Sequence, residues 1–248
     1  MASPALARIT QLLDSKQLAG TLSRPIDDRR VCTSTGVDAL DTKLAGGWPQ
    51  GQLSEVVGPV SSGRTSVLLA TLSQATRAGG VVALVDVADR LDPASAAEAG
   101  VVLDRVLWVR GAQATYGPAR TAASRALADR AVQQGIRAFD LIARAGGFAV
   151  IACDVADVPA SSLRALPAAT WLRISHVLEG QTTAGLLVGA QPLGRSGGGV
   201  SIALRARGEW AGHSAQSRRL AGLTSSASVA QRVRRGAGAC SFASYATR

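Results

Sequence analysis

Histidine and cysteine are scarce in this 248-residue chain, and the scarcity of each excludes a kind of site. The two histidines, His176 and His213, lie far apart with no motif around them, so a metal centre or a Ser-His-Asp triad has little to build on. The three cysteines show no paired spacing, which excludes a disulfide framework and a CxxC-type zinc site. We therefore predict no metal site and a reducing cellular compartment.

Long apolar runs are missing as well. No stretch reaches the roughly 18–20 residues that a membrane-spanning helix needs. The first residues also lack the basic start and continuous apolar middle of a signal peptide. Hydrophobic residues nevertheless make up 47% of the chain and charged residues 18%, which excludes a disordered or fibrous protein. We expect a cytoplasmic protein with a buried core and no membrane contact.

Arginine supplies nearly all of the positive charge, since Lys16 and Lys43 are the only lysines among 27 basic residues. Residues 193–248 hold nine arginines against one acid, Glu209, so this segment carries most of the net charge of +10. Such a segment predicts contact with DNA or with an acidic protein surface, and a merely solvated arginine-rich tail is the open alternative. The candidate contact residues are Arg205, Arg207, Arg218, Arg219, Arg232, Arg234 and Arg235.

Strand and helix patterns alternate along the chain. Apolar runs predict strands at 53–57, 81–86, 106–110, 148–154, 185–190 and 200–207, the last being the final strand. Helical periodicity predicts helices at 64–77, at 119–145 as two helices broken near Gly135, and at 163–178. This alternation predicts an α/β fold in which helices flank a mostly parallel central sheet.

The chain divides into three predicted parts. Residues 1–30 form an N-terminal helix and linker, residues 31–207 the α/β core, and residues 208–248 a basic, partly flexible C-terminal tail. The apolar residues of the N-terminal helix stand at helical spacing, and they are Leu6, Ile9, Leu12 and Leu13.

A glycine-rich loop follows the first core strand and opens the first core helix. Its sequence, GPVSSGRT at residues 58–65, has the spacing of a phosphate-binding loop, in which backbone N–H groups and a helix N-terminus face the phosphate. Arg64 stands where that pattern has lysine, and a wide planar guanidinium does not replace a compact ammonium group. Two interpretations are open: a loop that still attracts phosphate, and an empty strand–helix turn. The candidate nucleotide-binding residues here are Gly58, Ser61, Ser62, Gly63, Arg64, Thr65 and Ser66.

Residues 33–68, with this loop near their end, resemble the entry segment and phosphate loop of the RecA recombinases. The resemblance continues through LVDVADRLDPASAAEAGV (84–101), FAVIACD (148–154) and GLLVGAQ (185–191). It implies a RecA-like core, a nucleotide-site aspartate at Asp154 that coordinates Mg²⁺ through water, and a γ-phosphate-sensing glutamine at Gln191. It also implies that the N-terminal helix docks on a neighbouring subunit, whereas a helix that covers its own core is the alternative.

The departures from the RecA pattern predict lost catalysis. Ala88 stands at the position of the catalytic glutamate, and Ser95 at the position of the tyrosine that stacks on adenine. Asp89 is the nearest substitute for the glutamate, although it is shorter and one position away. The segments that match the two DNA-binding loops, 160–167 and 192–199, are short. We therefore predict no catalytic residues and no enzyme activity, with ATP and Mg²⁺ bound, if at all, without efficient hydrolysis.

Residues 129–180 resemble the ImuA-type accessory proteins of bacterial mutasomes, which are degenerate RecA homologues. This resemblance implies a non-catalytic, nucleoid-associated role in error-prone translesion DNA synthesis after DNA damage. The implied partners are a Y-family polymerase homologue, an error-prone replicative polymerase and RecA itself, with DNA contacted through the basic tail. A SulA-like cell-division inhibitor and a weak DNA-dependent ATPase are the alternatives.

Overall fold

The computed structural model describes residues 31–111, 121–167, 169–193, 199–212, 214, 217–230 and 239–245. The predicted N-terminal helix, with Leu6, Ile9, Leu12 and Leu13, lies outside the described residues, as do Arg232, Arg234 and Arg235. The described strands are β1 (Cys32–Thr33), β2 (Trp48–Pro49), β3 (Leu53–Val57), β4 (Val82–Asp86), β5 (Val106–Arg110), β6 (Val150–Asp154), β7 (Ala184–Gly189), β8 (Ser201–Ala211), β9 (Arg219–Ala230) and β10 (Ala239–Tyr245). The described helices are α1 (Asp38–Lys43), α2 (Arg64–Arg77), α3 (Pro93–Glu98), α4 (Ala122–Ala145), α5 (Ala160–Arg164) and α6 (Ala169–Leu178).

An eight-stranded sheet forms the centre of the fold, in the order β10-β9-β8-β3-β7-β6-β4-β5. The six strands from β8 to β5 pair in parallel, and β9 and β10 continue the sheet in antiparallel pairing. The predicted α/β class with a mostly parallel sheet is therefore confirmed. Because parallel strands end at the same edge, the segments that follow β3, β4, β6 and β7 meet there.

Helices cover both faces of the parallel part of the sheet. On one face Leu40 of α1 and Leu72 of α2 pack in a buried cluster with residues such as Val56. On the other face Phe139 of α4 and Ile174 of α6 pack in a second cluster. Strands β4, β6 and β7 are buried on both sides, so they read as nearly continuous apolar runs rather than alternating ones. Strand β3 is buried on both sides as well, although it contains Ser54 and Glu55.

The helix over 119–145 is not broken at Gly135, as the sequence analysis predicted; it is continuous as α4. A Cβ atom built on Gly135 would lie 2.6 Å from Cγ2 of Val87, so the glycine allows the helix to approach the segment after β4. The neighbouring core contacts of Val132 and Phe139, both fully buried, hold the helix through this position. Gly135 therefore serves close packing rather than a turn.

The single helix predicted over 163–178 is in fact two, α5 and α6, separated around Pro167. Proline has no N–H to donate and its ring blocks the preceding helical turn, so the helix cannot run through it. The prediction that 200–207 is the last strand is also wrong, because β8 runs to Ala211 and β9 and β10 follow. On β9, buried Ser225, Ala227 and Val229 alternate with exposed serines, a period of two that fits a half-buried strand.

Within the described part of the chain, no helix is both long and apolar enough to cross a bilayer. Two tryptophans, Trp48 and Trp171, pack in the core. Trp48 is fully buried and its Nε1 donates to Oγ1 of Thr71 at 3.1 Å, while Trp171 is buried in the cluster beneath α4 and α6. Cys153 is also fully buried, and this burial raises the pKa of its thiol, which keeps the sulfur protonated and unreactive.

Candidate nucleotide site

The glycine-rich loop lies between the end of β3 and the first turn of α2, as the sequence predicts. Ser61 and Gly63 both take the left-handed conformation, with φ of 60° and 89°. The N–H groups of Arg64 and Thr65 open α2, and as first-turn donors they have no carbonyl of the helix to bind. The backbone of this loop therefore retains the shape that faces an anion.

Strands β8 and β9 pack directly against the loop. A Cβ atom on Gly58 would lie 2.4 Å from Oγ of Ser62 and 2.7 Å from the carbonyl oxygen of Leu204, and one on Gly63 would lie 2.5 Å from Oγ of Ser225. Ser225 is fully buried, and its hydroxyl donates to the carbonyl oxygen of Ser62 at 3.3 Å. The two glycines thus allow β8 and β9 to contact the loop and to close one of its sides.

Arg64 folds back onto the loop that carries it. Its side chain is buried, and Nη1 donates to the carbonyl oxygen of Gly58 at 2.5 Å while Nη2 donates to Oδ1 of Asp157 at 3.1 Å. Arg90 approaches the other oxygen of the same carboxylate, with Nε 3.7 Å from Oδ2. The cation at the lysine position is therefore engaged by protein acceptors at both ends of its guanidinium group.

The segment after β4 holds a carboxylate that shapes the backbone. Asp86 is buried and accepts hydrogen bonds from the N–H groups of Arg90 at 3.0 Å and Leu91 at 2.8 Å, and from Nε1 of Trp108 at 3.3 Å. Ala88, at the catalytic position of the RecA pattern, is buried and carries no group that could orient water. The hydrogen bonds of Asp86 thus hold the backbone turn that follows β4.

Asp89, the nearest substitute for the missing glutamate, is held by an arginine. Both oxygens accept from Arg110, from Nε at 2.8 Å and from Nη2 at 2.9 Å, and the backbone of Asp89 is left-handed with φ of 52°. A carboxylate in a bidentate arginine pair is a poor base, because the guanidinium stabilises its ionised form. This geometry does not support Asp89 as the group that activates water.

Asp154 ends β6 directly opposite Asp86 of β4. Burial is the main influence on this carboxyl and raises its pKa to about 6, helped by the nearby charges of Asp86 and Asp157. The N–H of Ala156, which donates to Oδ1 at 2.9 Å, and the charge of Arg64 act in the opposite direction. With a pKa of about 6 this carboxyl is still mostly ionised at neutral pH, so burial makes its charge costly without removing it.

Gln191 lies just beyond β7, beside the start of the loop. It lines an open groove together with Gly58, Pro59, Arg205 and Ser228, on the face of β8 and β9 that no described helix covers. The groove places the predicted sensing glutamine and one predicted tail arginine on the same surface. Segment 192–199, which the RecA resemblance assigns to a DNA-binding loop, continues from this groove and is described only at 192, 193 and 199.

Of the candidate contact arginines that the structure describes, Arg205, Arg207 and Arg219 lie on strands. Arg205 and Arg207 are both exposed on one face of β8, as their alternation predicts, and they lie opposite Ser226 and Thr224 of β9. Arg218 is exposed just before β9, with its guanidinium carbon 5.2 Å from the ring centre of Trp210. Arg219 begins β9 and is exposed as well.

The side chains at this edge do not fit a magnesium–nucleotide complex, although the loop backbone fits an anion. The cation is bound by Gly58 and Asp157, and the catalytic carboxylate is replaced by Ala88. Among the described residues, no group of three or more histidine, cysteine, aspartate or glutamate side chains is arranged to hold a metal ion. We therefore derive no catalytic step through a bound nucleotide.

Two residues that matter at this edge were not predicted from the sequence. Asp157 stands three residues beyond Asp154, and only the fold shows that it reaches Arg64. Glu55 is a buried acid in an otherwise apolar strand, and it accepts from Oγ of Ser201 at 2.7 Å and from the N–H of Leu193 at 3.1 Å. An isolated acid in such a strand is a signal that sequence analysis could have used, since a buried carboxylate needs partners.

Comparison with known proteins agrees with this class of fold, an α/β core with a phosphate-type loop after its first parallel strand. The RecA N-terminal domain family matches residues 15–119. The RecA proteins of Streptococcus pyogenes serotype M5 (strain Manfredo) and of Streptococcus equi subsp. zooepidemicus (strain MGCS10565) are each 48% identical over 75 residues, which is 30% of this chain and 20% of theirs. The chain thus spans about a fifth of the length of these curated relatives. The fold and these matches together show that the chain is similar to the RecA N-terminal domain over residues 15–119.

Proposed function

We propose that this chain is a non-catalytic RecA-like accessory protein of an error-prone translesion DNA synthesis complex. The observation that carries the proposal is the engagement of Arg64 by Gly58 and Asp157 inside a loop of otherwise RecA-like shape. Arg64 occupies the phosphate loop of a core that keeps its sheet, so we expect the core to act by binding partners on its surface and not by hydrolysing a nucleotide. The resemblance of residues 129–180 to mutasome accessory proteins supports this particular complex.

In this proposal the chain recruits or regulates a Y-family polymerase homologue and an error-prone replicative polymerase at damaged DNA, in the bacterial cytoplasm at the nucleoid. RecA is a further proposed partner, through the N-terminal helix. DNA is a proposed partner of the exposed β8–β9 face. Support comes from the exposed Arg205 and Arg207 and from the cation–π pair of Arg218 with Trp210, which are the kinds of groups that contact phosphates and bases.

The first test of the proposal is steady-state ATP hydrolysis by the full chain with Mg²⁺ and single-stranded DNA. We expect no turnover above a protein-free blank, because neither a water-orienting carboxylate nor a free loop cation is present. An A88E/R64K variant, which restores both RecA-type groups, serves as the matched comparison. Wild-type turnover that disappears in D89A or D154A would overturn the non-catalytic assignment and favour a weak ATPase.

The second test is capture of partners with the tagged full chain as bait. Purified Y-family polymerase homologue from the same bacterium should be retained, and a bacterial tubulin-like division protein should not. R64K should capture the polymerase as well as wild type, because the contact does not depend on a working nucleotide site. Retention of the division protein with no retention of the polymerase would overturn the mutasome role in favour of a division inhibitor.

A further inference from the structure

The outward face of α4 carries a regular stripe of arginine and leucine. Its members follow one another at alternating intervals of three and four residues, which places them in one row along the helix. All six are exposed, and they are Leu127, Arg130, Gln134, Arg137, Leu141 and Arg144. The row lies opposite the side of α4 on which Val132 and Phe139 are fully buried, and it includes no acidic residue.

The two leucines of this α4 stripe are unusually exposed for their type. Leu127 is 60% exposed and Leu141 is 67% exposed, so each presents apolar surface where a solvated helix normally carries polar side chains. On the adjacent helix α6, Leu172 is also more than half exposed. Apolar groups spaced along an exposed helix and bordered by charges are typical of a protein-interaction face.

Two shallow depressions border the α4 stripe and share Arg173 of α6 as a common wall. One also contains Arg144, Val177 and Gln181, and the other contains Arg137, Ile136 and Ser162, so apolar groups accompany the arginines in both. Each depression has a buried polar atom without a hydrogen-bond partner in the described part of the chain, Oε1 of Gln181 and Oγ of Ser162. Such atoms are rare in folded proteins.

The charge of this face is positive where a partner would meet it. Arg144 and Arg173 both approach Asp140, with Nε 3.0 Å from Oδ2 and 3.7 Å from Oδ1 respectively, so one partly buried carboxylate is shared by two arginines. Arg130 and Arg137 have no ion pair with any residue that the structure describes. Arg130 and Arg137 are therefore the cations of the row that no described acid of this chain pairs with, while Arg144 shares Asp140 with Arg173.

We propose that the α4 stripe is the docking surface for an acidic amphipathic helix of a partner protein. Leucines of that helix would pack on Leu127 and Leu141, and its carboxylates would face Arg130, Arg137 and Arg144. A nucleic acid fits less well, because a continuous line of phosphates makes no apolar contact with the exposed Leu127 and Leu141. The inference shares with the proposed function only the premise that the chain acts through protein contacts.

Binding of a synthetic helical probe tests this surface. The probe is a labelled peptide of about 18 residues, long enough to match the roughly 26 Å from Leu127 to Arg144 at 1.5 Å per residue, with Leu and Glu at the stripe's spacing. Fluorescence anisotropy with the full chain should show saturable binding that weakens with salt. The same peptide with Lys in place of Glu should bind at least about tenfold more weakly, because its charge repels the arginines.

Paired charge reversals locate the contact. R130E/R137E should weaken binding of the acidic peptide about tenfold or more while leaving the circular dichroism spectrum unchanged, since neither side chain makes a described ion pair. R205E/R207E, on the separate β8 face, should leave peptide binding intact. Absence of wild-type binding, equal binding of the Lys peptide, or equal loss in both variants would overturn the proposal. If R130E/R137E still captures the polymerase, the α4 stripe is not the contact with the polymerase, and the proposed function stands.

Discussion

Arg64 shows how one side chain changes what a phosphate-type loop can bind. A lysine at this position extends as a point charge, whereas the guanidinium group presents several donors in a plane. Here the plane spans Gly58 and Asp157, so the loop is stabilised by its own residue instead of by a ligand. The sequence predicted a weakened phosphate loop from the arginine alone. It could not predict the closure, because Asp157 lies 93 positions away and is brought near only by the ordering of β3 and β6.

We expect R64A to lower the free energy of unfolding by about 2–4 kcal/mol, because it leaves the Gly58 carbonyl and the Asp157 carboxylate without their donor. R64K should lose less, since an ammonium group keeps the charge but not the paired geometry. Urea denaturation followed by tryptophan fluorescence measures both. R90A is the control, because Arg90 is exposed and 3.7 Å from the same carboxylate, and it should cost less than about 1 kcal/mol. An R64A value equal to that of R90A would contradict the closure.

Asp154 predicts a dependence of stability on pH. Its pKa is raised from an ordinary 3.8 to about 6, so the folded state binds the proton more tightly than the unfolded state does. The stabilising effect of the protonated form is complete below the unfolded pKa and is lost as pH rises through about 6. D154N, which cannot ionise, should therefore raise the free energy of unfolding at pH 7.5 by about 1–3 kcal/mol.

The gain from D154N should shrink steadily between pH 6 and pH 4, as wild-type Asp154 becomes protonated, and urea titrations at several pH values measure it. D129N is the control, because Asp129 is a carboxylate at the edge of an open depression and no hydrogen bond to it is described. If the increase in the free energy of unfolding of D154N does not vary with pH, the increase does not come from removing the ionisation of Asp154.

Element by element, the sequence was most informative where burial is complete. The buried strands β3, β4, β6 and β7 agree with the predicted runs to within two residues at each end, because buried stretches in a parallel sheet leave few alternatives. Strand β5, only partly buried at the sheet edge, also has the predicted bounds. The sequence was least informative at β9, where Thr224 to Ser228 looks like a low-complexity segment. Small serines suit that strand because β9 packs on the phosphate loop, where Ser225 meets Gly63. A composition-based prediction cannot anticipate such a contact.

Gly135 gives a test of the packing of α4. Alanine normally stabilises a helix interior relative to glycine by about 1 kcal/mol. Here G135A should instead destabilise the protein by about 1–3 kcal/mol, since the new methyl group would lie 2.6 Å from Cγ2 of Val87. Thermal denaturation of G135A, V87A and the double variant measures the coupling. Additive effects in the double variant would show that contact with Val87 is not the reason why position 135 requires glycine.

The contact of β9 with the core predicts that a chain ending at Arg207 does not fold. Removing β9 exposes Leu204 and the loop around Gly63, and it deletes the buried Ala227 and Val229. We expect this truncated chain to be insoluble or to lack a cooperative unfolding transition, whereas the full chain has one. A soluble, cooperatively folded 1–207 chain would contradict the role of β9 and favour the predicted division into core and tail.

For the whole molecule, the proposed functions divide between two surfaces on different elements. The α4 stripe combines leucine with arginine, as a protein contact does, while the β8–β9 face combines arginine with serine, threonine and an exposed tryptophan, Trp210. The sequence predicted a basic C-terminal segment but not the α4 stripe, because its charge is balanced along the chain by Asp129 and Asp140. Only the helical geometry separates the arginines from these acids.

The β8–β9 face predicts salt-dependent binding of single-stranded DNA by the full chain. If arginines contact phosphates, the affinity should fall with salt at a log–log slope of roughly −0.7 for each contact, because bound counterions are released. R205A/R207A should make the slope shallower by about one to two, and R232A/R234A/R235A by about two if those three arginines also contact phosphate. Fluorescence anisotropy of a labelled oligonucleotide between low and physiological salt measures the slopes.

Comparing these variants decides which part of the segment touches DNA. R130E/R137E on α4 is the matched control, and its slope should equal that of wild type, because α4 packs on β4 and β6, which are separated from β8 and β9 in the sheet by β3 and β7. A slope that changes only in R232A/R234A/R235A would place the contact beyond β9 and remove Arg205 and Arg207 from it. A slope that changes in neither arginine variant would remove the C-terminal segment from DNA binding, and its charge would then serve an acidic protein partner.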